Sequence, residues 1–121
     1  MHKDLAVVTV IGEVDVYTAA QLRDHLASLL GRGARHLVLD FAGVAFIDSS
    51  GLSVLAGIHR LLSTGDRTDA GRSEPGRGTG TLALTAVNLR IREVLRTTGF
   101  TRFMPIYSTV DLAVTVHEHT A

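Results

Sequence analysis

The chain has no cysteine and no tryptophan, only two prolines, and aromatic side chains make up 5% of its 121 residues. The lack of cysteine excludes disulfides, thiol catalysis and thiolate metal sites. Acidic and basic residues balance at 12 each, so the basic excess expected of a nucleic-acid-binding domain is missing. The longest apolar runs have the length of a strand, and residues 1–4 lack the apolar core of a signal peptide. We therefore expect a cytoplasmic protein that binds neither nucleic acid nor a membrane.

Hydrophobic residues make up 45% of the chain, which is too much for a disordered protein and enough for one core over residues 1–121. Strand-like and helix-like segments alternate, which is typical of an α/β layer with mostly parallel strands. We expect one mixed, mostly parallel sheet of four to five strands with about four helices. The predicted strands are 5–11, 37–41, 82–87 and 103–107, and the predicted helices begin at residues 18, 49, 89 and 108.

The polar segment 63–81 separates two of these units. It is rich in glycine, serine, threonine and charged residues, shows no sign bias and has no hydrophobic period. Such a composition favours a flexible insertion without a partner, although a loop that contacts a partner is the alternative.

The stretch 44–58 consists of an apolar run, a polar turn and a helix. Either Asp48 or Ser49 could accept the first N–H groups of this helix as its N-cap. The helical period predicts a core-facing side of Val54, Leu55, Ile58, Leu61 and Leu62. The opposite side carries Ser49, Ser53, Ala56 and Arg60, with Gly57 beside them. This outer side is small and flat, and glycine inside a helix costs about 1 kcal/mol relative to alanine, so a close approach by another backbone would explain Gly57.

Other polar residues fit structural roles better than catalytic ones. Thr18 and Gln21 match a capping box, and Asp40 is expected to bond a nearby turn at a strand end. His117 and His119 point to different sides of a helix, which makes joint metal ligation awkward, and His59 is expected to be structural or solvated. Neither a serine-nucleophile elbow nor a phosphate-binding loop is present. We expect no catalytic residue, no metal and no cofactor.

Three segments, in this order, resemble one family. They are Gly12 to Thr18, the run from Leu39 through the Asp48-Ser49-Ser50-Gly51-Leu52 motif, and Val94 to Phe100. Together they resemble the STAS domain of bacterial anti-sigma factor antagonists over nearly the whole chain. Relatives usually have one more strand before residue 5, so the N-terminal strand region looks shortened here. An exposed sheet edge can recruit a second chain, and we expect a monomer or weak dimer.

The resemblance implies a phosphorylation switch rather than an enzyme. The first serine of the motif, Ser49, would be the phosphoacceptor. The unphosphorylated protein would bind an anti-sigma factor that is also a serine kinase, and would thereby release a sigma factor. Phosphorylation would abolish this binding, and a serine phosphatase would restore it. The resemblance places partner-binding residues around the motif and along the outer side of the helix: Asp15, Asp48, Ser50, Gly51, Ser53, Ala56, Gly57 and Arg60.

Two other functions stay open. One is a non-switching STAS subunit of a transport complex or other multi-protein assembly, although such subunits often lack the phosphorylatable serine. The other is a ligand-sensing module, for which the sequence specifies no pocket. Residues around Ser49 also admit a simpler interpretation, in which this serine merely caps a helix.

Overall fold

Four parallel strands and four helices form the domain in the computed structural model, which describes residues 4–64 and 80–120. The elements follow in the order β1 (Leu5–Val14), α1 (Ala19–Gly31), β2 (His36–Ile47), α2 (Ser49–Thr64), β3 (Thr81–Thr85), α3 (Leu89–Thr97), β4 (Ile106–Tyr107) and α4 (Val110–Thr120), with a 3-10 turn at Phe100–Arg102. The strands lie in the sheet in chain order, and each of the three neighbouring pairs is parallel. The α/β class and the number of strands and helices agree with the prediction.

The insertion predicted at 63–81 falls mainly on residues 65–79, which lie outside the described residues. At its ends, α2 continues to Thr64 and β3 begins at Thr81. The shortening predicted for the N-terminal strand region falls partly on residues 1–3, which are likewise outside the described range. Among the described strands, β1 forms one edge of the sheet. No described helix has the length and apolar character needed to cross a membrane.

The two faces of the sheet carry different layers. The buried side chains of α1, α2 and α3 join one core cluster, so these helices lie on one face of the sheet, as right-handed crossovers between strands in sequential order require. The side chains of this main core are Val8, Val14, Ala19, Leu26, Leu37, Leu39, Phe41, Val44, Ile47, Val54, Leu55, Ile58, Leu62, Leu82, Leu84, Val87, Ile91, Leu95 and Met104. Val38, Ala83 and Ala113 are also buried but do not join that cluster. Because α4 contacts β2, β3 and β4, these three residues mark a second, thinner layer under α4.

β1 and β2 are longer than predicted and continue beyond the rest of the sheet. Their pairing runs from Leu5 opposite His36 to Val14 opposite Ile47, whereas β3 pairs with β2 only as far as Asp40. Two register irregularities interrupt the β1–β2 ladder, and one of them adjoins Gly12, whose φ is +99°. The irregularities also break the strict alternation of buried and exposed residues. This is why the pattern in the second half of β2 does not reveal a strand.

Several local predictions are wrong. Leu61 was predicted to face the core, but it is 48% exposed. The capping box at Thr18 does not form; the Thr18 hydroxyl instead donates to the Glu13 carbonyl at 2.7 Å. The glycine after α1 that takes a positive φ is Gly33 rather than Gly31. The last strand is only Ile106–Tyr107, because the N–H groups of Phe103 and Met104 bond back to the Phe100 carbonyl.

Candidate functional site

The polar turn between β2 and α2 lies where the two longest strands end together. Val14 and Ile47 are paired at the ends of β1 and β2, and the Asp48 N–H donates to the Val14 carbonyl at 3.1 Å. The chain leaves β1 at the same point and continues through residues 15–18. We call Asp15–Thr18 together with Asp48–Gly51 the knuckle. Its two halves, distant in sequence, are held next to each other by the strand pairing.

Asp48 is the N-cap of α2. One of its carboxylate oxygens accepts the N–H of Ser50 at 2.8 Å and the N–H of Gly51 at 3.2 Å, and its carbonyl accepts the N–H of Leu52 at 3.0 Å. This settles the choice between Asp48 and Ser49 as the cap. Asp48 satisfies N–H donors that the helix itself leaves unpaired. Its carboxylate therefore has a structural role that does not depend on a partner.

Ser49 is the first residue of α2 and is exposed. Within residues 4–64 and 80–120 its hydroxyl makes no hydrogen bond. The cation on the same helical side, Arg60, lies 11 residues later, about 16 Å along the axis at 1.5 Å per residue. The hydroxyl is therefore accessible for modification, and its surroundings in the knuckle are acidic rather than basic.

Asp15 organises the other half of the knuckle. Its carboxylate accepts the N–H of Tyr17 at 2.9 Å and the N–H of Thr18 at 3.1 Å, and the Thr18 hydroxyl accepts the Asp15 N–H at 3.0 Å. Asp15 thus lies near Asp48, as expected, but its carboxylate is occupied in shaping the turn.

The turn built by Asp15 presents two large apolar side chains to solvent. Tyr17 is 86% exposed and Val16 is 63% exposed. Neither was selected from the sequence. The available signal was an aromatic and a branched apolar residue inside a polar turn, where packing against the core does not require them.

The outer side of α2 runs away from the knuckle. Ser53 and Arg60 are exposed, and Ala56 and Gly57 are half-buried. A Cβ atom added at Gly57 would have no described atom within 4 Å. No backbone of the described chain therefore approaches Gly57, and the close approach expected from the sequence is not made within this part of the protein.

Gly51 is buried, unlike its neighbours in the motif. A Cβ atom there would lie 2.6 Å from Cγ1 of Ile47 and 2.7 Å from Cγ1 of Val14, closer than such atoms pack. Only glycine lets the first turn of α2 sit directly on the ends of β1 and β2. Gly51 shapes the knuckle from beneath and offers no side chain to a partner, and Ser50 is half-buried beside it.

Other residues considered in the sequence lie away from the knuckle. Asp40 was expected to bond a turn at a strand end, but it lies inside β2. Its carboxylate accepts the N–H of Ala42 at 3.0 Å and the hydroxyl of Thr85 on β3 at 3.3 Å. The His59 ring packs 4.2 Å from the Phe103 ring, and burial lowers the pKa of His59. The described residues with metal-ligating potential converge not here but at the opposite end of the sheet, at Asp4, His36 and His117.

The exposed basic residues of α3 offer only a weak patch. Arg96 pairs with Glu93 one turn earlier on the same helix, and this hydrogen bond lowers the pKa of the Glu93 carboxyl. Arg92 is exposed nearby. The arrangement fits a solvated helix face with an internal charge pair.

Comparison with known sequences agrees with this geometry. The sequence model of the STAS domain matches residues 1–67, which hold β1, α1, β2 and α2. The chain belongs to the STAS domain family. The matched range contains the whole knuckle and the outer side of α2, so the part that defines the family is also the part that forms the candidate site.

Relatives of this STAS domain extend the match over most of the chain. An anti-sigma F factor antagonist of Paenibacillus polymyxa is 29% identical over 115 residues, which is 94% of this chain and 87% of the relative. The crystal structure of an anti-sigma factor antagonist from Mycobacterium paratuberculosis has a TM-score of 0.75 at 29% identity, covering 96% of this chain and 87% of that one. A crystal structure from Thermotoga maritima has a TM-score of 0.79 at 22% identity over 95% and 88% of the two chains, which shows the shared fold.

The contact beneath Gly51 gives a test of the knuckle. We expect Gly51→Ala to lower the free energy of unfolding by about 1–3 kcal/mol, the usual cost of overpacking a core. Gly57→Ala is the matched control in the same helix; with room for the methyl group it should raise stability by up to about 1 kcal/mol. Urea unfolding of both variants measures the difference. If both alanine variants change the free energy of unfolding equally, the close contact of α2 with the ends of β1 and β2 is disproved.

Proposed function

We propose that this STAS domain is an anti-sigma factor antagonist whose binding surface is the knuckle and the outer side of α2. The observation that carries the proposal is an exposed serine at the first position of a helix, on the same side as the exposed Ser53 and the open space at Gly57. The names of the relatives support the general role, since they are antagonists of anti-sigma factors. The partner, on this proposal, is an anti-sigma factor that is itself a serine kinase.

Phosphorylation of Ser49 would act on the surface and leave the fold intact. A phosphate adds about −1.5 to −2 charges beside the carboxylates of Asp48 and Asp15. Free N–H groups at a helix N-terminus would tolerate such a charge, but Asp48 already accepts two of them. Tolerance therefore depends on exposure of Ser49 and on the helix dipole, which favours negative charge at an N-terminus.

The same charge would be costly against a partner. Burying an ion without a compensating cation costs several kcal/mol, and each 1.4 kcal/mol changes an affinity tenfold. The nearest turns of α2 supply no cation to Ser49. This helix would therefore not neutralise the phosphate where it faces the partner. A serine phosphatase would be needed to restore binding, and the cycle would run in the cytoplasm, where sigma factors act.

Charge at Ser49 provides the direct test. We expect Ser49→Asp to weaken binding to the cognate anti-sigma factor at least about 100-fold, with an unchanged circular dichroism spectrum. Isothermal titration calorimetry measures the affinity. Ser28→Asp, at an exposed serine near the far end of α1, is the matched control and should bind like wild type.

The phosphoacceptor is tested separately. Incubation with the cognate kinase and ATP should add one phosphate that mass spectrometry locates on Ser49, and Ser49→Ala should remain unmodified. Unchanged affinity of Ser49→Asp would disprove the charge mechanism. A failure of phosphorylation together with a failure to bind any anti-sigma factor would favour the non-switching STAS subunit instead.

The uncovered glycine on α2 provides a second test. If a partner backbone approaches Gly57, then Gly57→Leu should weaken binding at least about tenfold, because a bulky side chain separates the surfaces. The isolated domain should be at least as stable as wild type, since a Cβ atom at Gly57 meets no described atom and leucine is a better helix former than glycine. Ala27→Leu, at an exposed alanine on α1, is the control. Wild-type affinity in Gly57→Leu would remove this side of α2 from the interface.

Tyr17 gives a third test, at a position not anticipated from the sequence. Tyrosine is enriched among residues that dominate interfaces, where truncation costs about 2 kcal/mol or more, and the turn that carries Tyr17 is already ordered by Asp15. We expect Tyr17→Ser to weaken binding about 30-fold. Leu112→Ser, at a 44% exposed leucine on α4, should leave the affinity unchanged. Equal affinities of the two variants would exclude the Tyr17 turn from the interface.

A further inference from the structure

Three side chains from distant parts of the chain converge at the end of the sheet opposite the knuckle. Asp4 precedes β1, His36 begins β2, and His117 lies on α4. Each is half-buried, and one ligand atom of each lies within 4.8 Å of the other two. We propose that Asp4, His36 and His117 bind a divalent transition-metal ion, with Zn²⁺ as the preferred ion.

The distances require only a small contraction around an ion. The Nε2 atom of His36 lies 3.8 Å from Oδ2 of Asp4, and the rings of His36 and His117 have centroids 4.4 Å apart at an angle of 52°. In a tetrahedral zinc site with bonds of about 2.0–2.1 Å, neighbouring ligand atoms are separated by about 3.4 Å. Side-chain rotations of Asp4 and His117 can close this difference without moving the strands.

Backbone and side-chain hydrogen bonds already orient two of the three ligands. The Asp4 carbonyl accepts the N–H groups of Arg35 at 2.8 Å and of His36 at 3.0 Å, which ties Asp4 to the start of β2. The Nδ1 atom of His36 lies 2.9 Å from the Thr81 hydroxyl on the neighbouring strand. A hydrogen bond at one ring nitrogen is the usual device that directs the other nitrogen of a ligating histidine toward a metal.

The kinds of ligand select the class of ion. Two imidazoles and one carboxylate suit Zn²⁺ and its neighbours Co²⁺ and Ni²⁺, whereas Mg²⁺ and Ca²⁺ prefer sites built from oxygen alone. Three protein ligands leave a tetrahedral ion one position for water or another group. An ion here would join β1, β2 and α4, and would fasten the last helix to the thinner layer of the domain.

This site would be independent of the proposed switch. β2 has 12 residues, which at about 3.3 Å each separate its two ends by roughly 35 Å. The metal ligands lie at the start of β2 and the knuckle lies at its end. A metal ion would therefore stabilise the domain without contacting the surface that we assign to the anti-sigma factor.

Metal titration of the full chain without an affinity tag tests the proposal. After treatment with EDTA and desalting, the protein should bind one Zn²⁺ per chain by isothermal titration calorimetry. Co²⁺ should give visible absorption bands of a four-coordinate site. Ligand binding to the native state raises stability, so Zn²⁺ at about 100 times its Kd should raise Tm by about 10 °C.

Conservative variants separate this site from adventitious binding. Loss of a supporting hydrogen-bond partner costs about 10–100-fold in metal affinity, so His117→Gln and Asp4→Asn, which remove ligands, should each cost at least about 100-fold. His25→Gln, at an exposed histidine on α1, should bind Zn²⁺ like wild type. The proposal is overturned if the wild type binds no Zn²⁺, or if all three variants bind it equally well. In either case the cluster is only a contact between Asp4 and His36 beside the tilted ring of His117.

Discussion

The junction between β2 and α2 depends on the N-cap made by Asp48. Its N–H extends the strand pairing to Val14, while its carboxylate and carbonyl accept the first N–H groups of the helix. One residue therefore ends a strand and begins a helix, with backbone polar groups satisfied on both sides. Gly51 completes the junction, because the absence of a side chain lets the helix rest on Val14 and Ile47.

This junction gives the exposed serine an unusual position. Ser49 projects from a point where the backbone is held by hydrogen bonds and by a tight core contact, yet its hydroxyl has no structural duty within the described residues. A modification at such a position can change the surface without a cost to the fold. The residues that build the knuckle and the residues that face outward are different ones. A phosphorylation switch at Ser49 is therefore physically reasonable.

The two ends of the sheet differ in chemistry. At the carboxyl ends of the strands, the knuckle combines carboxylates with exposed apolar side chains and an accessible hydroxyl. At the amino ends, Asp4, His36 and His117 form a half-buried cluster whose partners lie on separate elements. Because the two clusters lie at opposite ends of β2 and share no residue, the proposed metal site and the proposed binding surface could act independently.

The sequence was informative where one local pattern was enough. The alternation of strands and helices, the core-facing side of α2 at Val54, Leu55 and Ile58, and the motif at 48–52 are all readable within a few residues. They were sufficient for the α/β fold and the family. Leu61 shows the limit of such patterns, because a helical period marks an apolar side but not where the core beneath it ends.

Tertiary structure decided the features that join distant segments. The Asp15 turn reaches Asp48 only through the pairing of Val14 with Ile47, and the length of that pairing was hidden by the irregularities in the ladder. Tyr17 becomes a candidate for partner binding only because the structure shows that it is exposed. No sequence spacing brings Asp4, His36 and His117 together, since 32 residues separate the first two and 81 separate the last two. Local propensities determine which elements form, but the register between strands determines which side chains meet.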